Sequence, residues 1–289
     1  MRPEIKEAMK EIREDHGRSA RQLAQVALEA LRSVVDSSTR DELRECARGL
    51  ALARPLNAPI QNALAWTWSR YLETGDPGGA VSDALEHIET ASDGMAAAAR
   101  GVIPTGTLIT HSYSSSVVEL LGRLKPRRVI VPEARPFNDG VKVARELVRA
   151  GISTTLITEA QMALFVQEAD AVVVGAHAIL PEGDFINKVG TRLLALAAQD
   201  AEVPFYVVSE TLKVVAPSEP IPFAPEEGKP REIFGARWLE VRNVYFESTP
   251  ARMVTAYITE EGLLQAADIG RYALAAEQRW QALMNSVHG

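Results

Sequence analysis

The stretch DAVVVGAHAILPEGDFINKVGT, residues 170–191, decides the fold. It opens with AVVV, a continuous apolar run of the kind shown by a strand buried on both faces. It then passes through Gly175 and His177, turns at PEGD, and enters a new helical pattern with Asn187, Lys188 and Gly190. A buried strand therefore delivers polar groups at its carboxyl end, and an amide and a lysine follow at the start of the next helix. An open parallel sheet binds its ligand at that edge. An ammonium beside free helix amides suits an anion. A plainer reading, a buried strand followed by a solvated loop, fits the same letters, so the flanking segments have to decide.

Outward from this strand, TLITH (107–111), VIVPE (129–133), TTLIT (154–158) and PFYVVS (204–209) are short runs rich in β-branched and aromatic residues. Helical patterns separate them: SSVVELLGRL, DGVKVARELVRAG, EAQMALFVQEA and NKVGTRLLALAAQDA. Strands alternating with helices of about ten to fifteen residues imply right-handed crossovers and a parallel sheet. After residue 209 the order is less regular. PSEPIPFAPEEGKP (217–230) reads as an exposed loop, LEVRNVYFES and MVTAYIT as further strands, and GLLQAADIGRYALAAEQRWQALMN as a closing helix.

Before residue 101 no strand pattern occurs. Ile5, Met9 and Ile12 share a helical face, and Leu23, Val26, Ala27, Ala30 and Leu31 repeat at three and four. Gly17 and Ser19 in DHGRSA give a stop and a fresh cap, and Ser37-Ser38-Thr39 precedes the next helix. Pro55 and Pro59 stand early in ARPLNAPIQNALAWTWSRYLETG and Gly75 follows its last turn. The expected organisation is a helical domain over 1–100 and a Rossmann-like α/β domain over 101–289, with a doubly wound, mainly parallel sheet and the C-terminal helix.

Composition narrows the function classes. A chain of 289 residues, 46% hydrophobic and 24% charged, is an ordinary globular protein of one or two domains. With 31 Lys and Arg against 38 Asp and Glu, net −7, it lacks a general nucleic-acid footprint. The one cysteine, Cys46, allows neither an intrachain disulfide nor a cysteine metal cluster, and it reads as a small buried hydrophobe. No apolar run approaches the ~20 residues of a spanning helix. The amino-terminal MRPEIKEAMKEIRED lacks the apolar centre of a signal peptide. The expectation is a cytoplasmic protein without membrane or direct nucleic-acid contact, needing no metal or cofactor.

Candidate binding residues gather at the strand ends. THSYSSSVVELL runs from a strand through serines into a helix, and hydroxyls and amides at a helix start bind phosphate. Ser114 or Ser115 could equally be a simple cap. No Gly-x-Gly-x-x-Gly follows that strand, so a dinucleotide fingerprint is missing. Glu133 and Arg135 lie just past the second strand, where the arginine suits a bidentate grip on phosphate and a surface Glu–Arg pair is the plainer alternative. His177 ends its strand as a group that can exchange protons near neutral pH. Asn187 and Lys188 join the same edge. Loops converging on one edge favour a polar, anion-accepting pocket more than any single motif does.

GTLITHSYSS, ARPFNDGVKVARELVRAGISTTLIT, VVVGAHAILPEGDFINKVGT, PFYVVSETLK and VYFESTPARMVTAYITEEG resemble, in order and spacing, the translation initiation factor 2B regulatory subunits (alpha, beta, delta). That family also holds methylthioribose-1-phosphate isomerase and ribose-1,5-bisphosphate isomerase. GRSARQLA and ARPLNAPIQNAL look like its helical-domain motifs, and INKVGT followed by PFYVVSET is most similar to the alpha-subunit type. The resemblance implies a helical domain on a Rossmann-like domain, a homodimer, and in the isomerases a phosphosugar site between the two. Carried over, Arg54 and the amides of Arg18, Ser19 and Ala20 hold phosphate, and Arg135, Asn187 and Lys188 line the sugar side. Ser112 stands where the isomerases have a catalytic cysteine, and His177 where they have a catalytic aspartate. A hydroxyl is a far weaker acid than a thiol, and a lost carboxylate removes the group that steadies the moving charge.

Three readings stay open on the sequence. One is a binding or regulatory protein that keeps the pocket without the catalytic pair. Another is an isomerase using His177 as acid/base, with Ser112 or Glu133 assisting. The third is an assembly subunit with a protein partner and a disused pocket, against which the placement of Arg54, Arg135, Asn187 and Lys188 argues.

Overall fold

The computed structural model describes residues 1–15, 17–55, 57–218, 227–235 and 238–285. Most of the Pro- and Glu-rich stretch read as an exposed loop (219–226) lies outside the described residues. The chain forms two compact units, one of Met1–Ala91, Leu212–Ile221 and Arg271–Gly289, the other of Ser92–Thr211 and Pro222–Gly270.

The first unit is helical. Helices α1 (Pro3–Glu14), α2 (Ala20–Arg32), α3 (Arg40–Ala51), α4 (Ala58–Thr74) and the amino-terminal part of α5 (Pro77–Ala99) follow one another. Among the described residues no strand precedes Thr107. Three of these helix starts have a side-chain cap. Ser19 and Gln22 form a capping box on α2, Thr39 and Glu42 form another on α3, and the Asn57 side chain caps α4. Gly75, at φ +73, ends α4 in a left-handed turn that a side chain would strain. The apolar stripes meet in one core, with Ile5, Ile12, Leu23, Leu28, Leu50, Ile60 and Leu64 all at 1% exposure or less. Leu283 of the closing helix is part of that core. The stretch from Leu212 to Val214 is tied in by Asn62, whose amide donates to the Leu212 and Val214 carbonyls at 2.7 and 2.8 Å.

The second unit is α/β. In chain order it contains β1 (Thr107–Ile109), α6 (Ser115–Leu124), β2 (Arg128–Pro132), α7 (Asp139–Arg149), β3 (Ser153–Ile157) and the short α8 (Met162–Phe165). There follow β4 (Ala171–Gly175), β5 (Ala178–Ile179), β6 (Phe185–Lys188), α9 (Thr191–Asp200) and β7 (Phe205–Val208). β8 (Phe246–Thr249), β9 (Ala256–Thr259), β10 (Gly262–Leu264) and α10 (Ala266–Met284) complete the chain. The main sheet has the order β10-β9-β7-β4-β1-β2-β3 and is parallel except for β10. The fold is thus the doubly wound, mainly parallel sheet with a helical N-terminal region that the alternation predicts. β4 is buried at all five residues, as its unbroken apolar run requires.

Three segments differ from the sequence reading, one of them Gly262–Leu264, read as the start of the closing helix, which forms β10 against β9. Asn187 and Lys188 do not open a helix. They end β6, which pairs antiparallel with β5 and β8 in a separate three-stranded sheet, and α9 begins only at Thr191. Phe185 and Ile186 are buried by that pairing, so a cross-strand partner, invisible in local periodicity, overrides the helical spacing. EAQMALFVQEA likewise forms only a chain of short turns, 159–161, α8 and 166–168, because Met162 and Val166 are its only buried apolar anchors before Ala169.

Candidate functional site

The sheet order contains a reversal. From β1 the chain moves outward to β2 and β3, then returns to place β4 on the other flank of β1, followed by β7 and β9. The carboxyl ends of β1 and β4 are therefore the topological switch point, where open α/β sheets hold ligands. Register pairs Ile109 with Val172, so Ser112 and Gly175 stand at matching depth beyond it.

Ser112 follows β1 in the left-handed region, at φ +62, and is buried. Such a conformation in a non-glycine residue is uncommon and turns the chain sharply into α6. Ser114 caps that helix, its Oγ accepting from the Val117 amide at 3.4 Å, and Ser115 is the first helical residue. A Cβ built on Gly175 would lie 2.5 Å from Ser114 Oγ and 2.6 Å from Ser114 Cβ, so glycine is what lets this loop cross the end of β4. Ser116 Oγ donates to Glu210 Oε1 at 2.7 Å, which brings a 4%-exposed carboxylate from the end of β7 to the same place.

His177 leaves β4 with its amide donating to the Ile186 carbonyl at 2.8 Å. Its ring is exposed to solvent and lies 4.6 Å, centroid to centroid, from that of Phe246. Lys188 Nζ sits 5.1 Å from the Phe246 centroid, 5.3 Å from Phe137 and 5.4 Å from Tyr245, with Asp139 Oδ2 at 3.7 Å. An ammonium held by three ring faces and one carboxylate is restrained without being neutralised by a tight pair. Asn187 Nδ2 donates to Thr191 Oγ1 at 3.1 Å, and that hydroxyl donates to the Lys188 carbonyl at 2.6 Å.

Glu133 continues β2, its amide donating to Ile157 O at 2.9 Å. The Arg135 amide donates to Glu159 Oε1 at 3.0 Å, and its exposed guanidinium donates to Ile233 O at 3.4 Å. Ser112, Ser114, Ser115, Glu133, Arg135, His177, Asn187 and Lys188 thus all belong to loops, strand ends and, for Ser115, a helix start of the α/β unit.

Helix amides expected to be free have internal acceptors. Glu247 Oε1 accepts from the Gly190 and Arg192 amides, at 2.7 and 3.0 Å, at the start of α9. In the helical unit Asp15 Oδ1 accepts from the Gly17 and Arg18 amides at 2.7 and 2.9 Å, and the Ser19 amide goes to Gln22 Oε1 at 2.9 Å. Arg54 Nη1 donates to the Asp15 carbonyl at 2.7 Å, while the Arg18 guanidinium pairs with Glu11 and Asp15. The amides of Arg18 and Gly17 hold the Asp15 carboxyl below its usual range. Carboxylates of the chain itself therefore sit against the two helix starts, leaving side chains to supply what these places offer an anion.

Sequence reasoning passed over His111, Asp15, Glu210, Tyr245, Phe246 and Glu247. Asp15 had a signal, since Asp-x-Gly before a cap favours an Asx turn. His111 lies within THSY, where attention to the serines hid it.

These features define a doubly wound α/β protein with an added helical unit, whose candidate ligand edge carries a hydroxyl, an imidazole and a caged ammonium. The chain belongs to the Initiation factor 2 subunit family, whose profile matches residues 16–266. It is 32% identical over 289 residues to ribose 1,5-bisphosphate isomerase of Archaeoglobus fulgidus, covering 90% of each chain. It is 36% identical over 176 residues to methylthioribose-1-phosphate isomerase of Thermus thermophilus, covering 55% of this chain and 53% of that one. Among solved structures, translation initiation factor eIF-2B of Pyrococcus horikoshii OT3 superposes with a TM-score of 0.75 at 30% identity, over 91% of this chain and 98% of that one.

Proposed function

We propose that this chain is an initiation factor 2B alpha-subunit-like protein that binds a phosphorylated sugar or nucleotide without the standard isomerase chemistry. The observation that carries the reading is the combination at the switch point. Lys188 is a restrained cation, while the flanking strand ends carry Ser112 and His177 in place of a thiol and a carboxylate. In this reading Lys188, Asn187 and Arg135 meet the ligand's oxygens, with Ser114, Ser115 and Glu133 beside them. In the helical unit, the resemblance implies a phosphate role that falls to the Arg18 and Arg54 side chains, since the Arg18 and Ser19 amides go to Asp15 and Gln22 and Ala20 has no polar side chain. A hydroxyl cannot take over proton transfer from a thiol of much lower pKa, so binding outlasts catalysis.

A second reading, an aldose–ketose sugar-phosphate isomerase, is favoured by the solvent-exposed ring of His177, because an imidazole can carry a proton where a carboxylate is missing. A homodimer formed through the α/β domain, and a protein partner, belong to the same proposal. The test is thermal shift and turnover on ribose 1,5-bisphosphate, methylthioribose 1-phosphate and AMP. Binding at a hundred times Kd stabilises a protein by about 2.7 kcal/mol, well within reach of a melting experiment. A shift without product supports the binding reading. Product formation favours the isomerase, and no shift with any of the three at millimolar concentration defeats both.

A further inference from the structure

His111 is a residue of the switch point that neither reading uses. It directly precedes Ser112, is 2% exposed, and its Nε2 lies 2.9 Å from the Val189 carbonyl. A carbonyl oxygen only accepts, so Nε2 carries the proton and the neutral ring leaves Nδ1 as a bare acceptor. That Nδ1 is buried and has no hydrogen-bond partner among the described residues. Buried polar atoms are nearly always paired, so a ring retained at this cost has its reason in what Nε2 does.

Val189 is the first residue after Lys188. Its amide donates to the Tyr245 carbonyl at 3.0 Å, and the next amide, Gly190, goes to Glu247. The imidazole therefore closes the one side of this turn that faces β1. Gly190 shows how tightly it does so: φ is +104, and a Cβ there would lie 2.7 Å from His111 Nε2 and 3.0 Å from Cε1. The turn bearing Asn187 and Lys188 is pressed directly onto the ring that begins the Ser112 loop.

We propose that His111 is a positioning residue, which sets the Asn187–Lys188 turn against the end of β1 through the Nε2–H to Val189 carbonyl bond and so aims the Lys188 ammonium at the ligand. The inference rests on the binding reading above and adds to it a residue that touches no ligand. A misplacement of a binding group by about an ångström is enough to lose most of its contribution.

Two amides of equal polarity separate this from a merely structural role. The carboxamide nitrogen of His111→Gln reaches the place of Nε2, whereas that of His111→Asn reaches only that of Nδ1. Calorimetry with ribose 1,5-bisphosphate should find Gln within about twofold of wild type and Asn weaker by roughly tenfold, the size of one lost hydrogen bond. Amide hydrogen exchange at residues 188–194, without ligand, should be faster in Asn and near wild type in Gln. Equal affinities and equal exchange in the two variants overturn the proposal, as does a Gln variant no better than Asn. If instead Lys188→Ala binds the bisphosphate as well as wild type does, the binding reading fails, while the exchange comparison still decides whether His111 holds the turn.

Discussion

His177 and Lys188 share one aromatic ring: the imidazole tilts against Phe246 at 4.6 Å, and the Lys188 ammonium lies 5.1 Å from the same centroid. The strand that ends at the switch point and the turn that carries the cation are thereby held to a common rigid surface. Losing a charge-assisted hydrogen bond costs about 1.5–3 kcal/mol, so Lys188→Ala should weaken a phosphoester roughly ten- to a hundredfold. A cation–π contact contributes about 0.5–2 kcal/mol. Phe246→Leu should therefore weaken the same ligand by several-fold, through the lysine and not by contact. Calorimetry checks both, and a Phe246→Leu variant that binds more weakly than Lys188→Ala would contradict this order.

Gly175 is expected to be intolerant of even one methyl. The Cβ of Gly175→Ala falls 2.5–2.6 Å from Ser114 Oγ and Cβ, in a strand buried throughout, so the α6 cap must move. Overpacking of this kind costs about 1–3 kcal/mol. Because the clash is with one short side chain, Ser114→Gly should recover part of the loss, a coupling that urea denaturation of the single and double variants measures. Additive losses would show that the obstruction lies elsewhere.

Much of this arrangement was legible in the sequence, and the limits have physical causes. β1, β2, β4 and β7 announce themselves because a central parallel strand is largely apolar, while the edge strand β3 shows through its β-branched residues. The order of those strands, and with it the switch point, comes only from the structure, because right-handed crossovers fix handedness and not neighbours. What stayed hidden is pairing over distance. β6 looks helical because its partners, β5 and β8, lie seven and sixty-one residues away, counted from Phe185 to Ala178 and to Phe246. The amides at α2 and α9 looked free because nothing near Gly190 in sequence reveals that Glu247 will arrive there. His111 was missed for a third reason: a buried ring with one carbonyl partner has no spacing signature.

Acid should destabilise the fold partly through His111. Burial pushes its pKa below the ordinary 6.5, with the bond to the Val189 carbonyl, Glu159 and Glu247 opposing and Lys188 adding to the shift. The sign follows from linkage. Below pH 6.5 the unfolded chain binds a proton that the folded ring refuses, so stability falls as pH falls, and above 6.5 the term vanishes. Asp15 and other carboxylates held below their usual range add losses at lower pH. Denaturation midpoints of wild type and His111→Gln between pH 7.5 and about 5 isolate the histidine. Wild type should lose more over that interval, and parallel curves would mean the ring titrates alike in both states.

Arg54 is expected to have two separable effects. Its guanidinium donates to the Asp15 carbonyl at 2.7 Å, so Arg54→Ala removes a charged hydrogen bond and should lower stability by about 1.5–3 kcal/mol. In the proposed function it also meets phosphate, and the affinity for a phosphoester should fall about ten- to a hundredfold. Arg54→Lys keeps the charge but not the planar fork, so it should restore more affinity than geometry. A variant that loses stability alone would confine Arg54 to the Asp15 turn.

The decisive chemical experiment is to put back the pair that the isomerases carry. Ser112→Cys changes oxygen to sulfur in a buried residue at φ +62, where serine already bears whatever strain the conformation imposes, so the backbone should not move. His177→Asp places a carboxylate at an exposed position just past β4, next to Phe246, the ring that also contacts the Lys188 ammonium. The thiol restores an acid of usable strength, and the carboxylate restores a group that can receive or steady the moving proton. Each alone should gain little, because groups that act as a unit are strongly non-additive in catalysis. Together they should yield aldose–ketose turnover of ribose 1,5-bisphosphate or methylthioribose 1-phosphate, followed by proton NMR of the substrate. If the double variant still binds the phosphosugar and no ketose forms, the pocket differs from the isomerases' in more than these two side chains. If wild type already makes ketose, His177 is itself the acid/base and the isomerase reading replaces the one proposed above.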